Sequence, residues 1–245
     1  MKAIVLCAGL GTRLGELTRE IPKPMLLING HPLLEYIIIN CKKYGFNEIA
    51  VNLHFKPSII KSYFGDGSRY GVSLTYFHEE NLLGTAGSVK NMASFIENQK
   101  YFLVHYGDIL TDQNLADIVN LHKQTSNTLG TLLIHSRRNS NSIILLDAKT
   151  GQIQQFIERP SDEDRIKYNS SWVNSGIAIL NREILSQIPE GISDLPKDVY
   201  TTCATNGLLY SLPLNGYRCA IDSPQRYQEA QDAIQQKRCL LDVNT

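Results

Sequence analysis

Apolar and polar positions along the first half of the chain follow a pattern that is typical of strands alternating with helices. Short apolar runs predict strands at 3–8, 48–53, 73–77 and 101–106. Segments with helical spacing follow them at 31–45, 58–67, 84–96 and 114–124. This order favours an α/β fold with a mainly parallel sheet and helices on both faces.

The pattern changes after about residue 125, where strand-like runs follow one another closely. They lie at 128–135, 142–147, 152–158 and 171–180, and KTGQ predicts a hairpin turn between two of them. These runs predict an extension of the sheet or a small β subsheet. A helix is predicted at 223–241, and the segment 160–171 is predicted to be a mobile loop.

No repeat, low-complexity tract or linker divides the sequence. We therefore predict one Rossmann-like domain over residues 1–245, with a mixed, mainly parallel sheet, helices on both faces and a small β subsheet.

Composition narrows the classes of function. Lys plus Arg and Asp plus Glu both number 24, so no net charge favours nucleic acid or an anionic membrane as a partner. The five cysteines include no CxxC pair, which predicts reduced thiols and a cytoplasmic location. The sequence shows no signal peptide and no apolar run near the roughly 20 residues of a membrane span.

The stretch LCAGLGTRLGELTREIPKPML (6–26) follows the first predicted strand and admits three interpretations. A Walker A loop is excluded because no Lys-Ser or Lys-Thr follows the glycines. A dinucleotide-binding turn requires a third glycine, where this sequence has Leu14. The third interpretation is a loop that wraps a nucleoside triphosphate, with backbone N–H groups near the phosphates and positive charge from Arg13 and Lys23.

This stretch resembles the signature of the sugar-1-phosphate nucleotidyltransferases, which is G-x-G-T-R, eight residues and P-K-P. Further segments resemble that family in the same order: GDGSRYGVSLTYFHEENLLGTAGSV (65–89), VHYGDIL (104–110), FIERP (156–160), VNSGIAIL (173–180) and IDSPQRYQEA (221–230). The resemblance implies transfer of a nucleoside monophosphate from a nucleoside triphosphate to a sugar 1-phosphate, with release of pyrophosphate and Mg²⁺ as cofactor. Partners that the sequence allows are these two substrates and a second copy of the chain in a homodimer.

The resemblance also implies roles for individual residues. Catalytic roles fall on Arg13, Lys23 and Asp108, and the Mg²⁺ ligands are Asp108 and Asp222. The nucleotide-binding residues are Leu6, Ala8, Gly9, Gly11, Thr12, Glu80, Gly84 and Thr85. The sugar-phosphate-binding residues are Glu158, Arg159 and Asn174.

Position and chemistry support the metal site, although each residue has a structural alternative. Asp108 follows an apolar strand, and ligands of open α/β sheets bind at the carboxyl ends of strands. Two carboxylates with a few waters suit Mg²⁺ on a triphosphate. Asp108 could instead cap a turn and Asp222 a helix, while Asp112 is predicted to cap the helix that follows it. For the other candidates the alternatives are a buried amide that braces the sheet (Asn174), an exposed loop carboxylate (Glu80) and solvated surface charge (Arg13, Lys23).

Three departures from the family pattern concern the sugar side. Arg159 stands where the family usually has lysine, Asn141–Ser142 where it often has an aromatic residue and glycine, and Ser223 where glycine is usual. Arginine keeps the charge but binds phosphate through a planar fork in place of a point charge. These departures leave the identity of the sugar open.

The segments LLGTAGSV and PKPM are most similar to guanylyltransferases of mannose 1-phosphate or a manno-heptose 1-phosphate, which favours GTP. Uridylyl, thymidylyl and cytidylyl transfer to another sugar 1-phosphate stay open. Two alternatives belong to different classes, namely a catalytically silent nucleotide-sensing paralogue and a glycosyltransferase of related architecture. The intact charged residues argue against the first, and the absence of a D-x-D motif at 107–109 argues against the second.

Overall fold

Thirteen strands and seven α-helices are present in the computed structural model, which describes residues 1–138 and 140–243. The strands are β1 (Lys2–Leu6), β2 (Leu27–Ile28), β3 (His31–Pro32), β4 (Glu48–Leu53), β5 (Ser73–His78), β6 (Tyr101–Tyr106), β7 (Ile109–Thr111), β8 (Gly130–Ser136), β9 (Ser142–Leu146), β10 (Ile153–Glu158), β11 (Trp172–Asn181), β12 (Leu209–Pro213) and β13 (Arg218–Ala220). The helices are α1 (Leu33–Lys43), α2 (Pro57–Phe64), α3 (Gly84–Asn91), α4 (Leu115–Gln124), α5 (Asp162–Lys167), α6 (Thr201–Thr205) and α7 (Pro224–Gln235). Within the described ranges, no helix has both the length and the apolar character needed to cross a bilayer.

Contacts between Cα atoms divide the chain into two compact units. The first comprises Met1–Leu82, His105–Leu115 and Asn215–Thr245, and the second comprises Leu83–Val104 and Ala116–Leu214. The predicted α/β class with a mixed, mainly parallel sheet is confirmed. The extent of a single domain over 1–245 stays a prediction.

In the first unit, three parallel strands run in the order β1-β4-β5. The apolar residues of β1 and β4 are buried, as expected for parallel strands that are covered on both faces. The register pairs Lys2 with Glu48 at one end and Leu6 with Asn52 at the other. The residues that follow β1 therefore lie beside the end of β4, which places the glycine-rich loop at the carboxyl edge of these strands.

In the second unit, β8 pairs in parallel with β12 and antiparallel with β11. The β8–β11 register shifts between Asn174 and Ala178, where Gly176 has φ +78°. The predicted small subsheet is present as the antiparallel pair β9–β10.

Three local expectations were wrong. The segment 160–171 contains the helix α5, because Ser161 and Asp164 form a reciprocal capping box and the first turn is acidic. The last helix ends at Gln235 and not at 241. Asp112 does not cap the next helix; its two carboxylate oxygens accept hydrogen bonds from the amides of Tyr217 and Leu240, both at 2.7 Å.

Candidate active site

The glycine-rich loop after β1 folds back through hydrogen bonds to one carbonyl. Gly11 has φ +67°, and its carbonyl accepts from the Thr18 hydroxyl at 2.9 Å. A Cβ at this position would lie 3.2 Å from Thr18 and 3.3 Å from Lys23, so both the backbone and the space favour glycine. The exposed residues of the stretch from Ala8 to Arg13 are Gly9, Leu10, Thr12 and Arg13. The loop thus offers backbone and a guanidinium group to a ligand.

The end of β1 packs against the turn that precedes Asp108. The Leu6 carbonyl accepts from the Gly107 amide at 2.8 Å, and Ala8 is buried. A Cβ at Gly107 would lie 2.5 Å from the Cys7 sulfur and 2.7 Å from the Leu6 carbonyl oxygen. The small residue therefore lets Asp108 sit directly beside the start of the glycine-rich loop.

Lys23 and Asp108 form an ion pair across 85 residues of sequence, with 2.7 Å between Nζ and Oδ2. Lys23 begins the short 3₁₀ turn Lys23–Met25 and is flanked by two prolines that restrict the backbone. The Lys23 side chain is only 11% exposed and that of Asp108 is 28% exposed. Partial exclusion of water strengthens their attraction, so each group holds the other in position.

Asp108 and Asp222 lie at the same end of the antiparallel ladder formed by β7 and β13. Asp108 directly precedes β7, and its carbonyl accepts from the Ile221 amide at 2.8 Å. Arg13 approaches from the glycine-rich loop, with 4.0 Å between its Nη1 and Asp222 Oδ2. The Arg13 side chain is 70% exposed, so this pair is weak and the guanidinium can move toward a ligand.

The two carboxylates fit the Mg²⁺ that the resemblance implies. Hard oxygen donors are the ligands that Mg²⁺ prefers, and it is commonly held by one or two carboxylates, waters and substrate phosphates. Lys23 contacts Oδ2 of Asp108, which leaves Oδ1 for a cation. No cluster of three or more His, Cys, Asp or Glu side chains suited to a metal occurs among residues 1–138 and 140–243, so this pair is the donor set that we consider.

A buried carboxylate that the sequence did not single out lies next to the predicted Glu80. Glu80 is exposed, whereas Glu79 is 3% exposed. Glu79 Oε1 accepts from the side-chain amide of Asn52 at 2.8 Å, and Asn52 Oδ1 accepts from the Cys7 amide at 2.6 Å. Asn52 was the sequence signal that could have revealed a buried polar partner such as Glu79, because a side-chain amide at the end of the apolar strand EIAVNL requires hydrogen-bond partners.

In the second unit, the first turn of α3 is held by the segment around Asp194. Asp194 Oδ1 accepts from the Thr85 amide at 3.1 Å and from its hydroxyl at 3.2 Å, and the hydroxyl accepts from the Leu195 amide at 2.8 Å. The Ser193 carbonyl accepts from the next two helix amides at 2.9 and 3.2 Å. The amide and hydroxyl of Thr85 are therefore hydrogen-bonded within the protein. Gly84, the other predicted residue at this turn, has no side chain, and its backbone lies against Ser193.

Substitution of Gly84 by alanine is expected to destabilise the protein clearly. Gly84 has φ +74°, and a Cβ there would lie 2.4 Å from the Ser193 carbonyl oxygen. Gly191 provides the matched control, because its φ is +82° and a Cβ would meet nothing within 4 Å. We expect Gly191→Ala to cost about 1–2 kcal/mol for the left-handed backbone and Gly84→Ala to cost more, measured by urea unfolding. Equal losses would show that the close approach is relieved at no cost.

Glu158 is the last residue of β10, and Arg159, which follows it, has a strained backbone. Burial raises the pKa of Glu158 to about 7, the neighbouring Arg159 opposes this shift, and Asp194 adds to it. Arg159 has φ +50°, which is unfavourable for a residue with a Cβ, and its amide donates to the Asn141 carbonyl at 2.7 Å. Strained backbone of this kind is concentrated at functional sites.

Asn174 lies on β11 and is partly committed to local structure. Its Oδ1 accepts from the Gly176 amide at 3.0 Å, so its Nδ2 group is the donor left for a ligand.

Two departures from the family pattern are explained by hydrogen bonds within the protein. Ser142 is buried and its hydroxyl accepts from the Asn174 amide at 3.1 Å, while the Ser223 hydroxyl accepts from the Arg226 amide and caps α7.

The predicted site residues divide between the two units. The first unit contains Leu6, Ala8, Gly9, Gly11, Thr12, Arg13, Lys23, Glu80, Asp108 and Asp222. The second contains Gly84, Thr85, Glu158, Arg159 and Asn174. The phosphate and metal candidates therefore belong to the first unit and the sugar candidates to the second.

The sequence matches known proteins over most of its length. The family model described as nucleotidyl transferase matches residues 2–208. The chain is 34% identical over 223 residues to a UTP–glucose-1-phosphate uridylyltransferase of Synechocystis sp., covering 85% of this chain and 56% of that protein. It is 27% identical over 230 residues to the catalytic subunit beta of a mannose-1-phosphate guanylyltransferase of Dictyostelium discoideum, covering 93% of this chain and 62% of that protein. The chain thus spans less than two thirds of the length of these relatives.

Among solved structures, the fold is similar to that of UDP-glucose pyrophosphorylase complexed with UDP-glucose. The TM-score is 0.82 at 20% identity, over 96% of this chain and 98% of that chain. At this identity the similarity concerns the fold alone.

Proposed function

Because this chain belongs to the nucleotidyl transferase family, we propose that it transfers a nucleoside monophosphate from a nucleoside triphosphate to a sugar 1-phosphate. The products are a nucleoside diphosphate sugar and pyrophosphate. The observation that carries this proposal is the assembly of two cations and two carboxylates after the glycine-rich loop: Arg13, Lys23, Asp108 and Asp222. We further propose GTP as the donor and a mannose-type or manno-heptose-type sugar.

The reaction needs positioning and charge stabilisation more than proton transfer. A phosphate monoester has a second pKa of about 6, so the sugar phosphate arrives largely as a dianion and needs no general base. One of its oxygens forms a bond to the α-phosphorus in line, while the bond from that phosphorus to the bridging oxygen breaks and pyrophosphate leaves with the electron pair. Cations that neutralise the phosphates stabilise this transition state.

The residues of the first unit take separate parts in this chemistry. The exposed guanidinium of Arg13 binds the β- and γ-phosphates, and Lys23 Nζ binds at the α-phosphate, where negative charge develops. Asp108 and Asp222 would hold Mg²⁺, which would neutralise charge on the triphosphate when bound. The ion pair with Asp108 holds the Lys23 ammonium group in position before substrate binds.

The sugar candidates supply complementary groups. The Glu158 carboxyl group binds sugar hydroxyls, the Arg159 guanidinium binds the phosphate as a bidentate donor, and Asn174 donates from its Nδ2 group. Gly84 and Thr85 lie at the first turn of α3, where their roles as nucleoside contacts stay a proposal.

Base selection is proposed to favour guanine. An ionised carboxylate only accepts hydrogen bonds, and guanine offers two adjacent donors, N1–H and N2–H₂, on one edge. The exposed carboxylate of Glu80 is proposed as this acceptor. The relative from Dictyostelium is a guanylyltransferase and the one from Synechocystis a uridylyltransferase, so uridylyl transfer is the second candidate.

The test is pyrophosphate release by the purified protein with Mg²⁺. ATP, GTP, CTP, UTP and dTTP are each combined with a panel of sugar 1-phosphates that includes mannose, manno-heptose and glucose 1-phosphates. We expect the highest kcat/KM with GTP and a mannose-type sugar.

The possible outcomes separate the parts of the proposal. Highest turnover with UTP and glucose 1-phosphate would contradict the base and sugar while leaving nucleotidyl transfer intact. If folded protein released no pyrophosphate with any substrate pair, the proposal that the chain is an enzyme would be overturned. A nucleotide-sensing protein would then be favoured, and calorimetry would test whether it binds a nucleoside triphosphate. A cytoplasmic location and a homodimer stay proposals, the second of which light scattering tests directly.

A further inference from the structure

The side chain of Asn52 continues the pairing between β1 and β4 at the point where the backbone ladder stops. The last pair of the register joins Leu6 with Asn52, and the next amide, of Cys7, donates to Asn52 Oδ1 at 2.6 Å. The side-chain oxygen replaces the backbone carbonyl that a longer strand would offer to this amide. The chain therefore leaves the sheet at a fixed point, directly before the glycine-rich loop.

The other end of the Asn52 amide is held by Glu79. Asn52 Nδ2 donates to Glu79 Oε1 at 2.8 Å, and the two residues are 2% and 3% exposed. The orientation of Asn52 is thereby determined, because a side-chain amide presents its oxygen to an N–H donor and its nitrogen to a carboxylate. Glu79 thus keeps the Asn52 oxygen directed at Cys7.

The backbone of Glu79 is fixed as well. Its amide donates to the Leu53 carbonyl at 2.8 Å and adds one bond to the ladder between β4 and β5. Its carbonyl accepts from Nδ1 of His54 at 2.8 Å, so this ring nitrogen carries the proton. Because the backbone is anchored on both sides of the carboxylate, Glu79 is a rigid partner for Asn52.

The turn that precedes Asp108 confines the Cys7 peptide from another side. The Gly107 amide donates to the Leu6 carbonyl at 2.8 Å, and a Cβ at Gly107 would lie 2.5 Å from the Cys7 sulfur. The start of the glycine-rich loop is therefore held between Asn52 and the turn that carries Asp108.

We propose that Asn52 and Glu79 are positioning residues that hold the glycine-rich loop in its nucleotide-binding conformation. Asn52 fixes the chain at Cys7, and Glu79 fixes the orientation of Asn52. The backbone of Gly9 and the Arg13 guanidinium are then presented to the triphosphate with less loss of conformational freedom on binding. The identity of this ligand rests on the proposed function.

The experiment uses one disruptive variant, one reversed pair and one control. Asn52→Ala removes both hydrogen bonds. Asn52→Asp keeps an oxygen for Cys7 but places two carboxylates together, and the addition of Glu79→Gln restores one donor, one acceptor and a single charge with the direction of the bond reversed. Asn181→Ala is the matched control, because that amide in the second unit also contacts two partners, through Oδ1 with His122 and through Nδ2 with the Thr128 carbonyl.

The first measurement is calorimetric binding of GTP and of UTP with Mg²⁺. We expect Kd for the bound triphosphate to rise roughly tenfold in Asn52→Ala and in Asn52→Asp, about the effect of one lost hydrogen bond. We expect recovery in the double variant and no change in Asn181→Ala. In turnover assays, the KM for the triphosphate should rise while the KM for mannose 1-phosphate or glucose 1-phosphate stays the same.

An unchanged Kd in Asn52→Ala, or an equal rise in Asn181→Ala, overturns the positioning role. If Asn52→Ala does not fold, the comparison of Asn52→Asp with the double variant decides, and absence of recovery contradicts the role of Glu79.

The second measurement is hydrogen exchange of residues 7–14 without ligand, followed by mass spectrometry. We expect exchange to be roughly tenfold faster in Asn52→Ala, and as slow as in the wild type in both the double variant and Asn181→Ala. Unchanged exchange in Asn52→Ala overturns the inference. This result stands even if the wild type binds neither nucleotide, so failure of the proposed function is distinguishable from failure of the inference.

Discussion

Replacement of Asp108 by asparagine is expected to lower kcat by about 10³-fold while the protein stays folded, because a charged ligand of the proposed cation is lost. Asparagine keeps an oxygen that can accept from Lys23 but removes the negative charge beside it. The backbone bond from Ile221 to the Asp108 carbonyl does not involve the side chain and is retained. Steady-state pyrophosphate release and circular dichroism check the two halves of this prediction.

Asp112 provides a matched control for Asp108. It is a carboxylate four residues further on, and it holds the amides of Tyr217 and Leu240 at 2.7 Å each. Asp112→Asn is expected to lower the free energy of unfolding with a much smaller effect on kcat. If both substitutions reduced kcat equally, Asp108 would act through structure and not as a metal ligand.

Substitution of Lys23 by methionine is expected to lower kcat by about 10²–10³-fold. Methionine fills similar space but lacks the ammonium group, so the developing charge at the α-phosphate loses its donor. Because the proposed contact strengthens in the transition state, kcat should fall more than KM for the triphosphate rises. A rise in KM with unchanged kcat would show that Lys23 only binds the ground state.

A double-mutant cycle of Lys23→Met and Asp108→Asn measures the interaction between the two side chains. Lys23 is 11% exposed, so either single substitution leaves a poorly solvated charge without its ion-pair partner. The double variant Lys23→Met with Asp108→Asn is expected to lose less stability than the two single losses combined, while activity is not restored. Lys56→Met serves as the surface control, because Lys56 pairs with an exposed glutamate at 2.6 Å and should affect neither quantity strongly.

Much of the candidate site could be predicted because its residues follow strands directly. Gly11 and Arg13 come soon after β1, and Asp108 follows β6 by two positions. The carboxyl ends of parallel strands gather at one edge, so a local pattern was enough to place these residues there. The prediction of a loop at 160–171 failed for an equally local reason, since Ser161 and three acidic residues form a capped helix turn.

The residues that sequence reasoning missed depend on contacts between distant segments. Glu79 and Glu80 are adjacent and identical in type, and only the packing of β5 beside β4 decides that the first is buried against Asn52. Asp194 meets Thr85 only because its segment lies on the first turn of α3, far away in sequence. The hydrophobic periodicity of the sequence gives no indication of this contact.

The sequence by itself determined the α/β class, the order of most elements and the charged residues of a candidate phosphate-binding loop, because hydrophobic periodicity and glycine placement act over a few neighbouring residues. Only the tertiary structure decided the pairing of Lys23 with Asp108, the burial of Glu79 and the hydrogen bonds from Thr85 to Asp194. Burial and charge depend on what the whole fold places around a group, and these two properties decide which of the candidate side chains can do chemistry.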